Sequence, residues 1–330
     1  MNRVLVLVLL MSMLSACGQV EPVQIDGATM GTTYSVKLVS DDVDIKVLSE
    51  AVEAELRRVN AIMSTYIPDS EISRFNQAPL DTWFPVSADM IKILQLSKQI
   101  HNWSGGSFDV TIGPLVNLWG FGPTPMDRRV PTPAEIDSAR ARVGFDLLEI
   151  GDGQLRKSAP IYLDLSAIAK GYGVDRLAAM VEAHGYRNYL VEIGGELRGA
   201  GVNARGIPWR IAIERPDIAG RVPFRTLGID DMAMATSGDY RNFFEIDGER
   251  YSHTINPVTG SPITHTLASV TVLAPTCAEA DGLATAINVL GPEAGLALAG
   301  EQNIAAFVII KTESGFSETY SPAFKVYLDD

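Results

Sequence analysis

Asp281 and Thr285 stand four residues apart in the segment EADGLATAI at 279–287. On a helix that spacing puts both side chains on one face, within its first turns. Thr276-Cys277-Ala278-Glu279 is a capping box that opens such a helix, which runs through Leu283, Ala284 and Ile287 to an end near Gly291. A carboxylate and a hydroxyl placed together are hard oxygen donors and suit Mg²⁺. That ion takes one or two protein carboxylates and fills its octahedron with water and phosphate oxygens. The same pair would also serve a helix that binds nothing, Asp281 complementing the dipole and Thr285 packing inward.

A second constellation is Leu163-Asp164-Leu165-Ser166-Ala167-Ile168-Ala169-Lys170-Gly171. It places an acid and a hydroxyl at a strand-to-helix junction and Lys170 in the first turn of a helix rich in small residues. Small side chains let a ligand approach the backbone, and free amides there hold anionic groups; a structural N-cap is the equally good alternative. Of the four histidines, His253 stands out. It precedes a Pro-containing turn in Tyr251-Ser252-His253-Thr254-Ile255-Asn256-Pro257, where an imidazole can face a cleft and accept a proton from an attacking hydroxyl. His101, His184 and His265 are read as structural. The pairs Gly105-Gly106 and Gly194-Gly195 indicate tight turns and belong to neither standard nucleotide fingerprint. GxSxG, HExxH and CxxC are absent, which removes the common hydrolase, zinc-protease and thiol-redox readings.

The elements that must carry these residues follow from periodicity. Residues 34–39 alternate as a strand, and Leu48, Val52, Leu56, Val59 and Met63 recur at helical spacing. A second helix starts at Ser87 as N-cap, carries Ile93, Leu96, Ile100 and Trp103, and stops at Gly105. Thr132-Pro133-Ala134-Glu135 is another capping box, with Pro at the first helical position, opening a helix expected to end at Gly144. Residues 161–165 form a strand-like run before a helix ending at Gly185. Further strands are expected at 189–193, 209–214, 243–246, 268–273 and 305–310. Because strands cluster instead of alternating with helices, the fold class is α+β, with largely antiparallel sheets flanked by helices. The stretch 120–133, with its prolines, is the expected loop or junction between two closely packed lobes.

The chain has 330 residues, 46% of them hydrophobic, enough for one large domain or two such lobes. A net charge of −13 and a pI near 4.8 argue against a nucleic-acid partner. Any phosphate-rich ligand therefore needs a metal ion, helix N-termini or backbone amides. The first sixteen residues read as a processing signal: Arg3, an apolar run at 4–14 too short to span a bilayer, then Leu14-Ser15-Ala16-Cys17. That is a lipobox arrangement, in which the Cys17 thiol takes a diacylglycerol and the new amino terminus a further acyl chain such as palmitate. Each buried methylene adds about 0.8 kcal/mol of anchoring. An ordinary cleaved signal with an incidental cysteine is the alternative. The only other cysteine is Cys277, so a lipidated Cys17 leaves no disulfide and the body is held by packing alone. The expected organisation is a signal at 1–16, a polar tether at 17–28 and one domain at 29–330.

In order along the chain, Thr29-Met30-Gly31-Thr32, Met63-Ser64-Thr65-Tyr66, Phe108-Asp109-Val110-Thr111-Ile112-Gly113-Pro114, LDLSAIAKGYGVD at 163–175, EIGGELRGAG at 192–201, ATSGDYRNFFE at 235–245, SHTINPVTG at 252–260 and EADGLATAI resemble the ApbE family, the FAD:protein FMN transferases. The resemblance covers nearly the whole body. It implies FAD as donor, FMN moved through its phosphate onto a Thr or Ser hydroxyl of an acceptor protein, and AMP as leaving group. It implies that Met30, Tyr66, Ser107, Phe108, Asp109, Asp164 and Lys170 contact FAD. Asp281, Thr285 and the backbone carbonyl of Ala167 would hold Mg²⁺, and His253 falls on the histidine important for transfer. The implied acceptors are membrane redox subunits of the Nqr or Rnf type, met on the periplasmic side of the inner membrane. An FAD pyrophosphatase and a flavin-binding lipoprotein without chemistry are the alternatives.

Overall fold

The computed structural model describes residues 21–123, 128–216, 222–238 and 243–328. The signal segment 1–16 and Cys17 lie outside the described residues. Eight strands form one sheet: β1 (Val23–Thr29), β2 (Thr32–Leu38), β3 (Tyr189–Ile193), β4 (Glu196–Ala200), β5 (Met232–Gly238), β6 (Leu267–Ala274), β7 (Ala305–Thr312) and β8 (Gly315–Tyr320). Neighbours in space follow chain order, and every pairing is antiparallel. The apolar run of β6 is buried at each position, as a central strand covered on both faces requires.

Among the described residues, eight α-helices accompany the sheet. These are α1 (Ile45–Met63), α2 (Glu71–Gln77), α3 (Ala88–Trp103), α4 (Gly113–Leu118), α5 (Pro133–Arg140), α6 (Ala169–Ala183), α7 (Cys277–Leu290) and α8 (Pro292–Glu301). Of these, α4 and α5 pack on each other in a separate cluster with Phe244 and Ile255. In α1 the expected stripe of Leu48, Val52, Leu56, Val59 and Met63 is buried, and the Asp44 side chain caps its start by accepting from the Val47 N–H. Fully burying each such side chain contributes about 1.5–3 kcal/mol, so propensity is secondary to this packing. A continuous core joins α1, α3, α6 and α7 to β5, β6 and β7, which packs the helical lobe closely on the sheet. The opposite face is covered by the hairpin Trp209–Glu214 with Pro223–Ile229 and by the turn Pro322–Tyr327.

Strands β2 and β3 are paired in space, Tyr34 against Ile193, yet the chain between them makes an excursion that contains α1 to α6. The described parts of 120–132 carry no helix or strand. Three boundaries differ from expectation. Residues 23–28, read as the end of the tether, lie in β1, where Val23 pairs with Leu38. The helix after Thr132 stops at Arg140. Residues 161–165 form no ladder beyond a single bridge of Tyr162 with Ile112. The Asn76 side chain donates to Leu163 O at 2.9 Å and accepts from Leu163 N at 2.7 Å, satisfying groups that a neighbouring strand would otherwise take. Of the two capping boxes, that of Thr132 and Glu135 closes in both directions, while Thr276 accepts from the Glu279 N–H at 3.4 Å.

Candidate active site

The helix bearing Asp281 is fixed at its start by a residue from another helix. The Asp175 carboxylate accepts from Cys277 N at 2.8 Å and from Ala278 N at 2.9 Å, placing α6 beside the N-terminus of α7. Gly171 makes this closeness possible: a Cβ there would stand 2.3 Å from the carbonyl oxygen of Cys277. The Gly171 N–H donates to Asp281 Oδ2 at 3.0 Å, so the carboxylate is oriented by backbone. Thr285 follows one turn later on the same face. Cys277 is free and buried, and burial pushes its thiol well up, which makes it a packing residue.

Lys170, one residue before Gly171, reaches between two carboxylates. Its Nζ lies 3.6 Å from Glu196 Oε2 and 3.8 Å from Asp281 Oδ1. Burial works against the ammonium, but Asp281 and Glu196 outweigh it and hold Lys170 charged. Burial raises Asp281 above the usual carboxylate range against the pull of Lys170 and of the Gly171 N–H. Burial also pushes Glu196 up to about 8, with Lys170 opposing and Asp281 reinforcing. Glu196 stands here because Gly194 and Gly195, both at positive φ (63° and 105°), make a two-residue turn between β3 and β4.

The other wall is built from loops with pinned backbones. The Asp109 carboxylate accepts from the Thr111 N–H at 2.8 Å and the Thr111 hydroxyl at 2.6 Å, and lies 3.4 Å from His101 Nδ1. Burial raises Asp109, opposed first by the Thr111 bonds. Asp164 Oδ1 accepts from the Ser166 N–H at 2.8 Å at the entrance to α6. His253 is mounted before a turn in which Asn256 Oδ1 accepts from Val258 N and Gly260 O accepts from Trp119 Nε1 at 2.9 Å. Its ring lies 6.4 Å from that of Phe121.

Tyr66, Ser107, Phe108, Asp109, Asp164, Ala167, Lys170, His253, Asp281 and Thr285 all line one open cavity of about 390 Å³. These positions come from stretches of chain far apart in the sequence. Met30 does not line it. It occupies a tight turn at φ 49°, and its Cε lies 3.1 Å from where a Cβ of Gly173 would stand. Ser166, the hydroxyl of the 163–171 constellation, lines the cavity too, as do Glu196, Thr236, Ser237 and Thr254, which the sequence does not single out. Glu196 had a signal, an acid directly after a Gly-Gly turn, but its nearness to Lys170 is a tertiary fact. Among the described residues no group of three His, Cys, Asp or Glu stands close enough to hold a metal by itself, and no helix is long and apolar enough to cross a membrane.

The ApbE family profile matches residues 30–308. The FAD:protein FMN transferase of Vibrio cholerae is 46% identical over 98% of both chains. That of Haemophilus influenzae is 46% identical over 94% of this chain and 93% of its own. Among solved structures, the flavin transferase ApbE from Vibrio cholerae superposes with a TM-score of 0.87 at 46% identity, covering 93% of this chain and 99% of that one. The apo Pseudomonas stutzeri flavinyl transferase ApbE gives 0.87 at 43% identity, covering 94% and 98%.

Proposed function

The chain belongs to the ApbE family and is an FAD:protein FMN transferase, and we propose that it moves FMN from FAD onto a Thr or Ser hydroxyl of an acceptor protein with release of AMP. One observation carries this reading: residues from both lobes converge on a single open cavity that joins a buried carboxylate, an ammonium and an imidazole. In the reaction the acceptor oxygen forms a bond to the FMN phosphorus, the pyrophosphate bond breaks, and AMP takes the electron pair. Such transfer needs positioning and charge stabilisation more than covalent help from the protein.

The donor set fits Mg²⁺. Asp281 has one oxygen tied to the Gly171 amide and the other on the Lys170 side, Thr285 adds a hydroxyl from the same helix face, and Ala167 lines the cavity beside them. All three offer hard oxygens, and Asp281 with Thr285 and the Ala167 carbonyl would hold the ion. Bound there, Mg²⁺ supplies charge stabilisation on the pyrophosphate oxygens. Lys170 adds positive charge in the same cavity. His253 accepts the proton of the acceptor hydroxyl as its oxygen turns nucleophilic. Tyr66, 64% exposed with its hydroxyl 3.4 Å from Phe121 O, offers a ring face at the mouth for stacking on a flavin or adenine ring.

The lipobox at Leu14-Ser15-Ala16-Cys17 supports anchoring by lipid on Cys17, facing the periplasm at the inner membrane, where Nqr- or Rnf-type subunits would present their loops. Confinement to the membrane plane raises effective concentration near such acceptors without added affinity. The test incubates purified protein with FAD, Mg²⁺ and a candidate acceptor. In-gel flavin fluorescence on the acceptor is the expected result. Free FMN and AMP alone would make the protein a pyrophosphatase, and intact FAD would leave it a flavin binder.

A further inference from the structure

Glu196 is 4% exposed, and its Oε2, shut off from solvent, has no hydrogen bond. The nearest cation, Lys170 Nζ, stands 3.6 Å away and is 3.8 Å from Asp281, at hydrogen-bond distance from neither. Two buried carboxylates therefore share one ammonium midway between them. A buried carboxylate is normally retained only with full pairing, because an unpaired one costs more than its neighbours return.

We infer that Glu196 is a positioning residue: it receives the Lys170 ammonium when a divalent cation occupies Asp281, and so sets the affinity of the metal site. The inference rests on the Mg²⁺ reading above. An ammonium and a divalent cation repel each other and compete for the same Asp281 oxygen. Lys170 can yield without backbone movement, since its charge sits on a flexible four-carbon stem. That stem runs past Gly194, where a Cβ would stand 3.4 Å from Lys170 Cδ. The Gly194-Gly195 turn delivers Glu196 into the cavity that Lys170 and Asp281 line, so the ammonium moves toward Glu196 and stays in the cavity to meet the pyrophosphate. Without Glu196 it has no second partner, remains on Asp281 and opposes the metal.

The experiment is calorimetric titration of Mg²⁺ into the purified full-length protein without FAD, comparing wild type, Glu196→Gln, Lys170→Met, the double variant and Asp281→Ala. Wild type is expected to bind and Asp281→Ala to lose binding. Glu196→Gln should weaken binding about ten-fold, whereas in the Lys170→Met background the same change should shift affinity by less than about three-fold. Equal affinity in wild type and Glu196→Gln overturns the inference. An equal loss in both backgrounds also overturns it, because Glu196 would then act on the metal directly. Absence of Asp281-dependent binding in wild type would remove the Mg²⁺ reading itself, and the inference with it. Should Glu196→Gln not fold, Glu196→Asp, which keeps the charge but shortens its reach, is read the same way.

Discussion

Glu55 and Asp89 are held below the usual carboxylate range, whereas Glu196 and Asp281 are held above it, although each pair sits beside a cation. The difference lies in how many donors each oxygen meets. Glu55 on α1 accepts from Arg58 Nε at 2.9 Å and Nη2 at 2.8 Å and from Arg176 Nε at 2.9 Å, and the Arg58 bonds dominate its shift. Burial raises Asp89, but bonds from Tyr172 and Arg58 outweigh it. That cluster ties α1, α3 and α6 together and is saturated. In the cavity, one ammonium serves two more deeply buried carboxylates, and Glu196 keeps an unbonded oxygen. Saturation makes scaffold; a deficit of positive charge makes a place for a cation.

Breaking the cavity side should hurt chemistry and spare the fold. The largest effect is expected from Asp281→Ala, with transfer falling roughly a thousand-fold, the several kcal/mol that a metal supplies, while the urea midpoint stays near wild type. Full turnover at unchanged Mg²⁺ would take Asp281 out of the site. His253→Ala should bind FAD normally yet transfer roughly a hundred-fold more slowly, the scale of a lost proton acceptor. Equal rates would reduce His253 to a structural residue.

Breaking the saturated cluster should do the reverse. Glu55→Gln leaves the donors of two arginines partly unmet and should cost about 1–3 kcal/mol in urea unfolding, with transfer changed less than two-fold. Acid sharpens the contrast. Because Glu55 and Asp89 are lowered in the folded state, their contribution is present above the ordinary carboxylate range and is lost as pH falls from there through their lowered folded values. Wild type should therefore lose more stability between neutral pH and pH about 4 than Glu55→Gln does. Parallel pH curves would assign the acid sensitivity to other carboxylates.

Local chemistry made much of this site legible in the sequence. Capping at Thr276 and the four-residue step to Thr285 fix Asp281 on a helix face before any tertiary structure is known, and the small-residue run after Asp164 marks the entrance to α6. Tyr66 and the Ser107, Phe108 and Asp109 segment came only through resemblance, since a Tyr after a helix and an acid in a loop have no periodic signature. Asp175 was not legible as a cap for α7, because it sits mid-helix in α6 and its partners are a hundred residues away. Met30 matched by motif, yet its side chain packs on Gly173. Residues 161–165 carry a strand's pattern, but Asn76 had taken the backbone groups of Leu163.

The excursion from β2 to β3 has a consequence for how the molecule assembles. It supplies Tyr66, Asp109, Asp164 and Lys170, while Glu196, His253, Asp281 and Thr285 come from chain beyond its closure. Joining β2 to β3 requires closing a long loop, an entropically slow step of the kind that delays folding. Because the cavity takes residues from both sides of that closure, Tyr66 to Val289, donor nucleotide is expected to stabilise only chains that have completed it.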